Sequence, residues 1–114
     1  MIRKKNEMIT EVRENMRGGD GQIKITNIVN KEELKNARLL AYINIPIGAG
    51  IGDHDHKDET EYFIILEGKG QVNDNGILHE VGKGDVVITG GGASHSIKNI
   101  GDDELKMVAV IITY

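Results

Sequence analysis

Cysteine and tryptophan are absent from this chain of 114 residues, and proline occurs only once, at Pro46. Without cysteine the fold holds no disulfide, and a metal site must use histidine or carboxylate ligands instead of thiolates. No apolar run reaches the roughly 18 residues that a membrane-spanning helix requires. The N-terminal segment is charged and lacks the apolar centre of a signal peptide. We therefore expect a cytoplasmic protein with no membrane partner.

Dense basic clusters are also scarce. The net charge is −4, and the only compact basic cluster is the three residues at positions 3–5. Such a short cluster is typical of a solvated terminus, so we expect no nucleic-acid partner. The length suits one ordinary domain, which we expect to span residues 1–114.

Long helical patterns are missing, whereas glycine is frequent, with 15 residues, and separates short apolar runs. This pattern predicts an all-β fold. We expect an N-terminal arm over residues 1–21 and a barrel core over residues 37–114. In the arm, Met8, Val12 and Met16 recur every four positions, which indicates a short amphipathic helix. The first predicted strands cover residues 22–29 and 37–45, and residues 54–56 and 61–67 form the next pair. A hairpin joins residues 71–73 to 77–80, and further strands cover residues 86–89, 95–98 and 105–113.

Three of the four histidines fall within one two-part pattern. His54 and His56 are two apart, so on a strand they point to the same face. Glu61 opens the next apolar run, and His95 opens another short extended run. Imidazole and carboxylate groups together suit a divalent transition metal. The full pattern is Gly48-x5-His54-x-His56-x4-Glu61-x6-Gly68, followed by Gly84-x5-Gly90-x-Gly92-x2-His95-x3-Asn99.

The two halves of this pattern resemble the two motifs of the cupin superfamily over residues 48–99, with Gly90 where that family usually has proline. The resemblance implies a cupin-type double-stranded β-helix, or jelly-roll barrel. It also implies one divalent metal bound by His54, His56, Glu61 and His95. Mn²⁺ or Fe²⁺ is favoured, while Ni²⁺ or Zn²⁺ fits the same ligands. Because cupins host many chemistries, the resemblance does not name a reaction.

Two functions remain open at this point. The first is a metal-dependent enzyme that decarboxylates, oxygenates or isomerises a small carboxylate- or enolate-type metabolite. The second is a non-catalytic module that binds or senses a metal or small ligand. No catalytic residue is assigned, His79 receives no role, and Asp53, Asp55, Asp58 and Glu59 are expected to form a solvated acidic rim. The expected cavity lining is Phe63, Ile65, Val86, Ile88, Ile97 and Met107, with Tyr42 or Asn44 adding a polar group.

Two predicted strands are apolar on both faces. In residues 61–67, Phe63 and Ile65 should share the face of Glu61, which leaves Tyr62, Ile64 and Leu66 on the other face. Residues 107–112 have the same character. Strands that are apolar on both faces need a cover, and a second subunit provides one. We therefore expect a homodimer, with the alternative that the N-terminal arm covers the sheet.

Overall fold

The computed structural model describes residues 1–114 and consists mainly of antiparallel β-strands, which confirms the all-β prediction. Three single 3-10 turns, Lys5–Glu7, Met16–Gly18 and Lys31–Glu33, are its only helical elements. None of its helices has the length and apolarity needed to cross a membrane. The strands are β1 Ile9–Glu14, β2 Gln22–Asn27, β3 Ala37–Ile45, β4 Gly50–Asp55, β5 Glu59–Glu67, β6 Lys69–Asp74, β7 Ile77–Gly82, β8 Val86–Gly90, β9 Ser94–Asn99 and β10 Leu105–Thr113.

These strands form two sheets that together make a jelly-roll barrel. One sheet has the order β1-β2-β3-β10-β5-β8, and the other has the order β4-β9-β6-β7. From β3 onward the chain moves back and forth between the two sheets, as a double-stranded β-helix requires. The expected pairing of residues 54–56 with residues 61–67 is wrong, because β4 pairs with β9 and β5 pairs with β10 and β8. The strands that carry His54 and Glu61 therefore face each other across the barrel interior.

The core lies between the sheets and follows the alternation of strand residues. Phe63 and Ile65 are buried on the same face of β5 as Glu61, as predicted. On β10 the buried residues are Met107, Ala109 and Ile111. The opposite face stays partly open to solvent, with Ile64 37% and Leu66 38% exposed. The two faces of these strands are thus both apolar, but only the inner one is covered within this chain.

The predicted N-terminal helix is wrong. Residues 9–14 form strand β1, which pairs with β2 along its whole length, and β2 pairs in turn with β3. Residues four apart lie on one face of a strand as well as near one face of a helix, so the spacing of Met8, Val12 and Met16 fits both. Pairing with the edge of an existing sheet gives the backbone its hydrogen bonds, and this tertiary contact decides between the two structures.

The turn between β1 and β2 packs directly against strand β4, backbone to backbone. A Cβ atom on Gly52 would overlap the carbonyl oxygen of Arg17, and one on Gly19 would overlap the carbonyl oxygen of Gly50. The backbone N–H of Gly50 also donates to the carbonyl oxygen of Asp20 at 2.9 Å. This close approach is possible because the turn and strand β4 both have glycine at the contact.

Replacing Gly52 with alanine should therefore destabilise the fold. The added methyl group would meet a backbone oxygen that cannot rotate away, and overpacking of this kind costs about 1–3 kcal/mol. Urea unfolding of the metal-free protein measures the change. Gly82→Ala is the matched control, since its Cβ would lie 3.7 Å from the nearest atom, an ordinary contact. Equal unfolding free energies for the two variants would contradict the close packing of the turn on β4.

Candidate metal centre

Strands from both sheets bring the four predicted ligands to one point inside the barrel. His54 on β4 and His95 on β9 are direct cross-strand partners. His56 follows the end of β4, and its backbone is fixed by the glycine turn before β9. There the His56 N–H donates to the carbonyl oxygen of Ala93 at 3.0 Å, and the Gly92 N–H donates to the carbonyl oxygen of His56 at 2.8 Å. Glu61 approaches from β5 in the opposite sheet.

The four side chains direct their donor atoms at one another. The Nε2 atom of His95 lies 3.1 Å from the Nε2 atoms of both His54 and His56. The Oε1 atom of Glu61 lies 3.0 Å from Nε2 of His56 and of His95, and 3.8 Å from Nε2 of His54. One ligand atom from each residue thus falls within 4.8 Å of all the others. His56, Glu61 and His95 are buried, so water contributes little to this cluster.

The second nitrogen of each imidazole has its own partner, which fixes the tautomer of His54 and His56 and is compatible with the same tautomer of His95. Nδ1 of His54 lies 2.8 Å from the carbonyl oxygen of Gly52, which can only accept a hydrogen bond. Nδ1 of His56 bonds the Glu59 carboxylate, and Nδ1 of His95 lies 2.8 Å from the Thr89 hydroxyl. With Nδ1 as the donor, each neutral ring presents an Nε2 lone pair to the common point. Three lone pairs and a carboxylate oxygen cannot satisfy one another, whereas a divalent cation satisfies all four.

Burial raises the pKa of Glu61, but the three imidazoles, which donate hydrogen bonds from Nε2 to this carboxylate when they are protonated there, outweigh burial and hold that pKa below its usual range. Glu61 is therefore ionised at neutral pH. With neutral imidazoles the donor set carries one negative charge, so a bound divalent ion leaves a net charge of +1. Acid competes with the ion, because the imidazoles must be neutral to act as ligands.

Glu59 does not belong to a solvated rim, and this part of the prediction is wrong. Its carboxylate accepts two hydrogen bonds from Arg38, each 2.7 Å long, and contacts Nδ1 of His56. The Arg38 contact, opposed by partial burial and aided by His56, lowers the pKa of Glu59 to about 2. Glu59 thus orients the ring of His56, a candidate metal ligand, from the side away from the cluster, an arrangement that raises the basicity of the imidazole. Asp53, Asp55 and Asp58 are exposed, as expected.

The position of Glu59 also explains why glycine replaces the expected proline at Gly90. Strand β5 begins directly over this glycine, and Thr60 pairs with it across the sheet. A Cβ atom at Gly90 would overlap the side chain of Thr60 and the carbonyl oxygen of Glu59. Proline carries such an atom, so the glycine allows the backbone of Glu59 to come this close.

The cluster of His54, His56, Glu61 and His95, called the metal cluster below because it could hold an ion, borders a cavity of about 420 Å³ through all its members except His95. The predicted lining is correct only for Phe63, whose ring stacks on His95 at a centroid distance of 4.8 Å. Ile65, Ile97 and Met107 are buried in the core, whereas Val86 and Ile88 point to the other face of β8 and are exposed. Tyr42 and Asn44 lie on the outer side of the sheet, where Asn44 bonds Glu104. The error on β8 is one of register, because the inward residues there are Val87 and Thr89.

Sequence reasoning missed the charged wall of this cavity. Strands β1 and β3 and the turn after β1 contribute five charged residues, which are Glu11, Arg13, Glu14, Arg17 and Arg38. Most of them come from the segment predicted to be a helix, and no motif marks them. The pairing of β1 with β2, and of β2 with β3, places the four hairpin residues on the cavity wall beside Arg38 of β3. His79, by contrast, is exposed on β7 and lies outside the cluster.

Comparison with known proteins agrees with this geometry. The family model described as "Cupin domain" matches residues 41–111. An oxalate-binding protein from Thermotoga maritima is 41% identical over 113 residues, covering 98% of this chain and 93% of that protein. The crystal structure of a predicted oxalate decarboxylase from Thermotoga maritima has a TM-score of 0.95 and 39% identity, covering 100% of both chains. The Schizosaccharomyces pombe Cnp3 cupin domain has a TM-score of 0.74 at 23% identity, covering 91% of this chain and 69% of that one. At this low identity the similarity supports the fold of this chain and no particular activity.

Removing one ligand should abolish tight metal binding. We expect His56→Ala to lose more affinity than the roughly 10–100-fold that outer hydrogen-bond partners contribute, because it deletes a donor atom. Metal titration of protein prepared without chelators or a metal-affinity column measures the affinity. His79→Ala is the control and should bind as the wild type does. Unchanged stoichiometry and affinity in His56→Ala would reject the ligand assignment.

Changing the charge behind His56 should weaken the site without deleting a ligand. Glu59→Gln keeps the size of the side chain but removes the negative charge from Nδ1 of His56, so we expect metal affinity to fall by about 10–100-fold. The same titration measures it. Asp55→Asn removes a charge from an exposed neighbour on β4 and should have little effect. Equal affinities for the two variants would show that Glu59 is not a supporting partner.

Proposed function

This chain belongs to the cupin-domain family, and from that membership we propose that it is a metal-dependent enzyme acting on a small carboxylate- or enolate-type metabolite. One observation carries the proposal. Three of the four residues of the cluster, His54, His56 and Glu61, line a cavity, while His95 is fully buried behind them, so the cluster is open on one side. Four protein ligands leave up to two positions of a six-coordinate ion for an oxygen-bearing ligand.

The donor set favours particular metals. Three imidazoles with one carboxylate suit Mn²⁺ or Fe²⁺, which accept six ligands, and Ni²⁺ or Zn²⁺ fits the same atoms. When bound, the ion would supply Lewis-acid chemistry, stabilising negative charge on a ligand oxygen. Metal analysis of the protein as purified identifies the natural ion.

The residues around the site have different roles in binding the metal, excluding water and accepting a proton. Glu61 remains a ligand, because its pKa is held low by the imidazoles and it stays ionised. Phe63 packs on His95 and keeps water from one side of that ring. Glu14 and Glu11, which is paired with Arg13, are the carboxylates of the cavity wall outside the cluster, so a proton that this wall takes from a bound metabolite would go to one of them. These roles fit decarboxylation, oxygenation or isomerisation.

A second candidate function is non-catalytic binding or sensing of a small acid. The curated relative at 41% identity is described as an oxalate-binding protein, which favours this alternative. The charged wall of the cavity fits it as well, because arginine side chains bind carboxylates without further chemistry. A small organic acid is the expected ligand in both cases.

Small carboxylates should bind at the metal cluster. In protein reloaded anaerobically with Mn²⁺, we expect oxalate or a 2-oxo acid to change the paramagnetic resonance signal, because a new oxygen ligand alters the coordination. Diketones and sugar acids extend the series. If all four classes leave the signal unchanged, the site does not take such ligands. Loss of the bound acid over time with Mn²⁺ or Fe²⁺ would identify an enzyme, whereas binding without turnover would identify a binding module.

We also propose that the chain works in the cytoplasm as a homodimer. The argument rests on the outer face of the larger sheet, where Tyr42, Ile64, Leu66 and Ile112 are 37–41% exposed. Strand β1 of the N-terminal arm extends the sheet at its edge, beside β2. Lys5 and Met8 of the arm line a pocket with Tyr42 and Leu66, but those two side chains remain 39% and 38% exposed, so the arm leaves much of this face open. Two-fold pairing is the commonest way to bury such a surface.

Sedimentation equilibrium should accordingly give twice the chain mass at micromolar concentration. Leu66→Glu should shift the equilibrium to the monomer, since it places a charge in the apolar face. Glu32→Lys, an exposed charge change outside that face, is the control. A monomer in the wild-type protein would remove the proposal.

A further inference from the structure

We propose that Arg17, on the turn between β1 and β2, binds a second anionic group of the ligand. The site would then select two-ended acids, which place one carboxylate at the metal cluster and the other at Arg17. This inference rests on the proposed function and defines its substrate class more narrowly.

The first support is the extent of the cavity. Its lining includes His54, His56 and Glu61 at the metal cluster and also Arg13 and Arg17 of the N-terminal hairpin. Its volume of about 420 Å³ falls within the range of roughly 300–1,000 Å³ typical of small-molecule pockets. One carboxylate group on the metal would fill a small part of this space. A longer acid would reach towards the charged wall.

The second support is the pairing of the cavity charges. Arg13 lies 2.9 Å from the Glu11 carboxylate, and Arg38 holds both oxygens of Glu59. Arg17 has no carboxylate within ion-pair distance, so among the three cavity arginines it is the one whose guanidinium remains available. Glu14, the remaining charged group of this wall, accepts a hydrogen bond from the Gln22 side chain at 2.7 Å. Arginine forms a planar fork of donors that matches a carboxylate.

The third support is the backbone that places Arg17. Its φ of 54° and ψ of 29° lie in the left-handed region, which long side chains rarely adopt. Asn15, two residues earlier, is also left-handed with a φ of 47°. The turn is held in this shape by the Asn15 side chain, which donates to the carbonyl oxygen of Gly19 at 3.0 Å, and by the packing of Gly19 on β4. Strained backbone that its surroundings hold in place is often found at ligand sites.

Acids of matched length test the proposal in Mn²⁺-loaded protein. Malonate and succinate are compared with propionate and butyrate, with the Mn²⁺ resonance signal as the readout of binding. We expect the dicarboxylates to bind more tightly to the wild type. Arg17→Gln should weaken their binding by about tenfold or more, because a hydrogen-bonded charge is lost, and should leave monocarboxylate binding within about twofold. Arg17→Lys, which keeps the charge, should retain part of the preference.

Arg13→Gln is the matched control, because it removes the same charge from the same wall but from an arginine already paired with Glu11. It should change dicarboxylate binding by less than about threefold. Equal binding of both acid classes to the wild type, or an equal effect of Arg17→Gln on both classes, would overturn the role of Arg17 and leave the proposed function standing. If no acid of either class affects the signal, both proposals fall.

Discussion

The electrostatic conflict at the centre of the barrel governs the rest of this structure. Three imidazole nitrogens and one carboxylate oxygen lie within 4.8 Å of one another, and the residues that carry them are largely buried. Polar groups removed from water must find partners, and these four have only acceptor atoms to offer when the imidazoles are neutral. Their Nδ1 atoms cannot rotate inward without giving up Gly52, Glu59 and Thr89. A divalent cation at this point would resolve the conflict, so binding of an ion there would also stabilise the fold.

Close backbone contacts at glycine residues connect the cluster to the outer parts of the barrel. Gly52 illustrates this, because its carbonyl oxygen fixes the ring of His54 while its missing side chain makes room for Arg17. The same residue therefore joins the metal cluster to the N-terminal hairpin. Gly90 acts similarly by allowing the backbone of Glu59 close to the turn before β9. Both glycines are needed at these positions because backbone atoms occupy the space of a Cβ atom.

The sequence was sufficient to predict the fold class and the four clustered side chains, because both depend on local patterns. Alternating apolar residues identified β5 and β10 and their inner faces, and the spacing of His54 and His56 placed both rings on one side. The remaining errors arise where the answer depends on contacts distant in sequence. A four-residue spacing did not distinguish helix from strand in β1, and a one-residue error in register reversed the faces of Val86 and Ile88. Glu59 was misplaced because its partner Arg38 lies on another strand.

Two different segments of the chain form the two walls of the cavity. The histidine and glutamate wall comes from the barrel motifs, and a fold with that wall can host many reactions. The opposite wall comes from the N-terminal hairpin and carries the charges of Glu11, Arg13, Glu14 and Arg17. An ion held by that wall would polarise any oxygen ligand that reached it, so this wall alone would discriminate poorly among the small acids proposed as ligands. Discrimination would then come from groups that meet the rest of the ligand, because an acid that does not reach them loses those contacts. The hairpin is the part of this chain that presents such groups, and it is held against β4 closely enough to fix their positions.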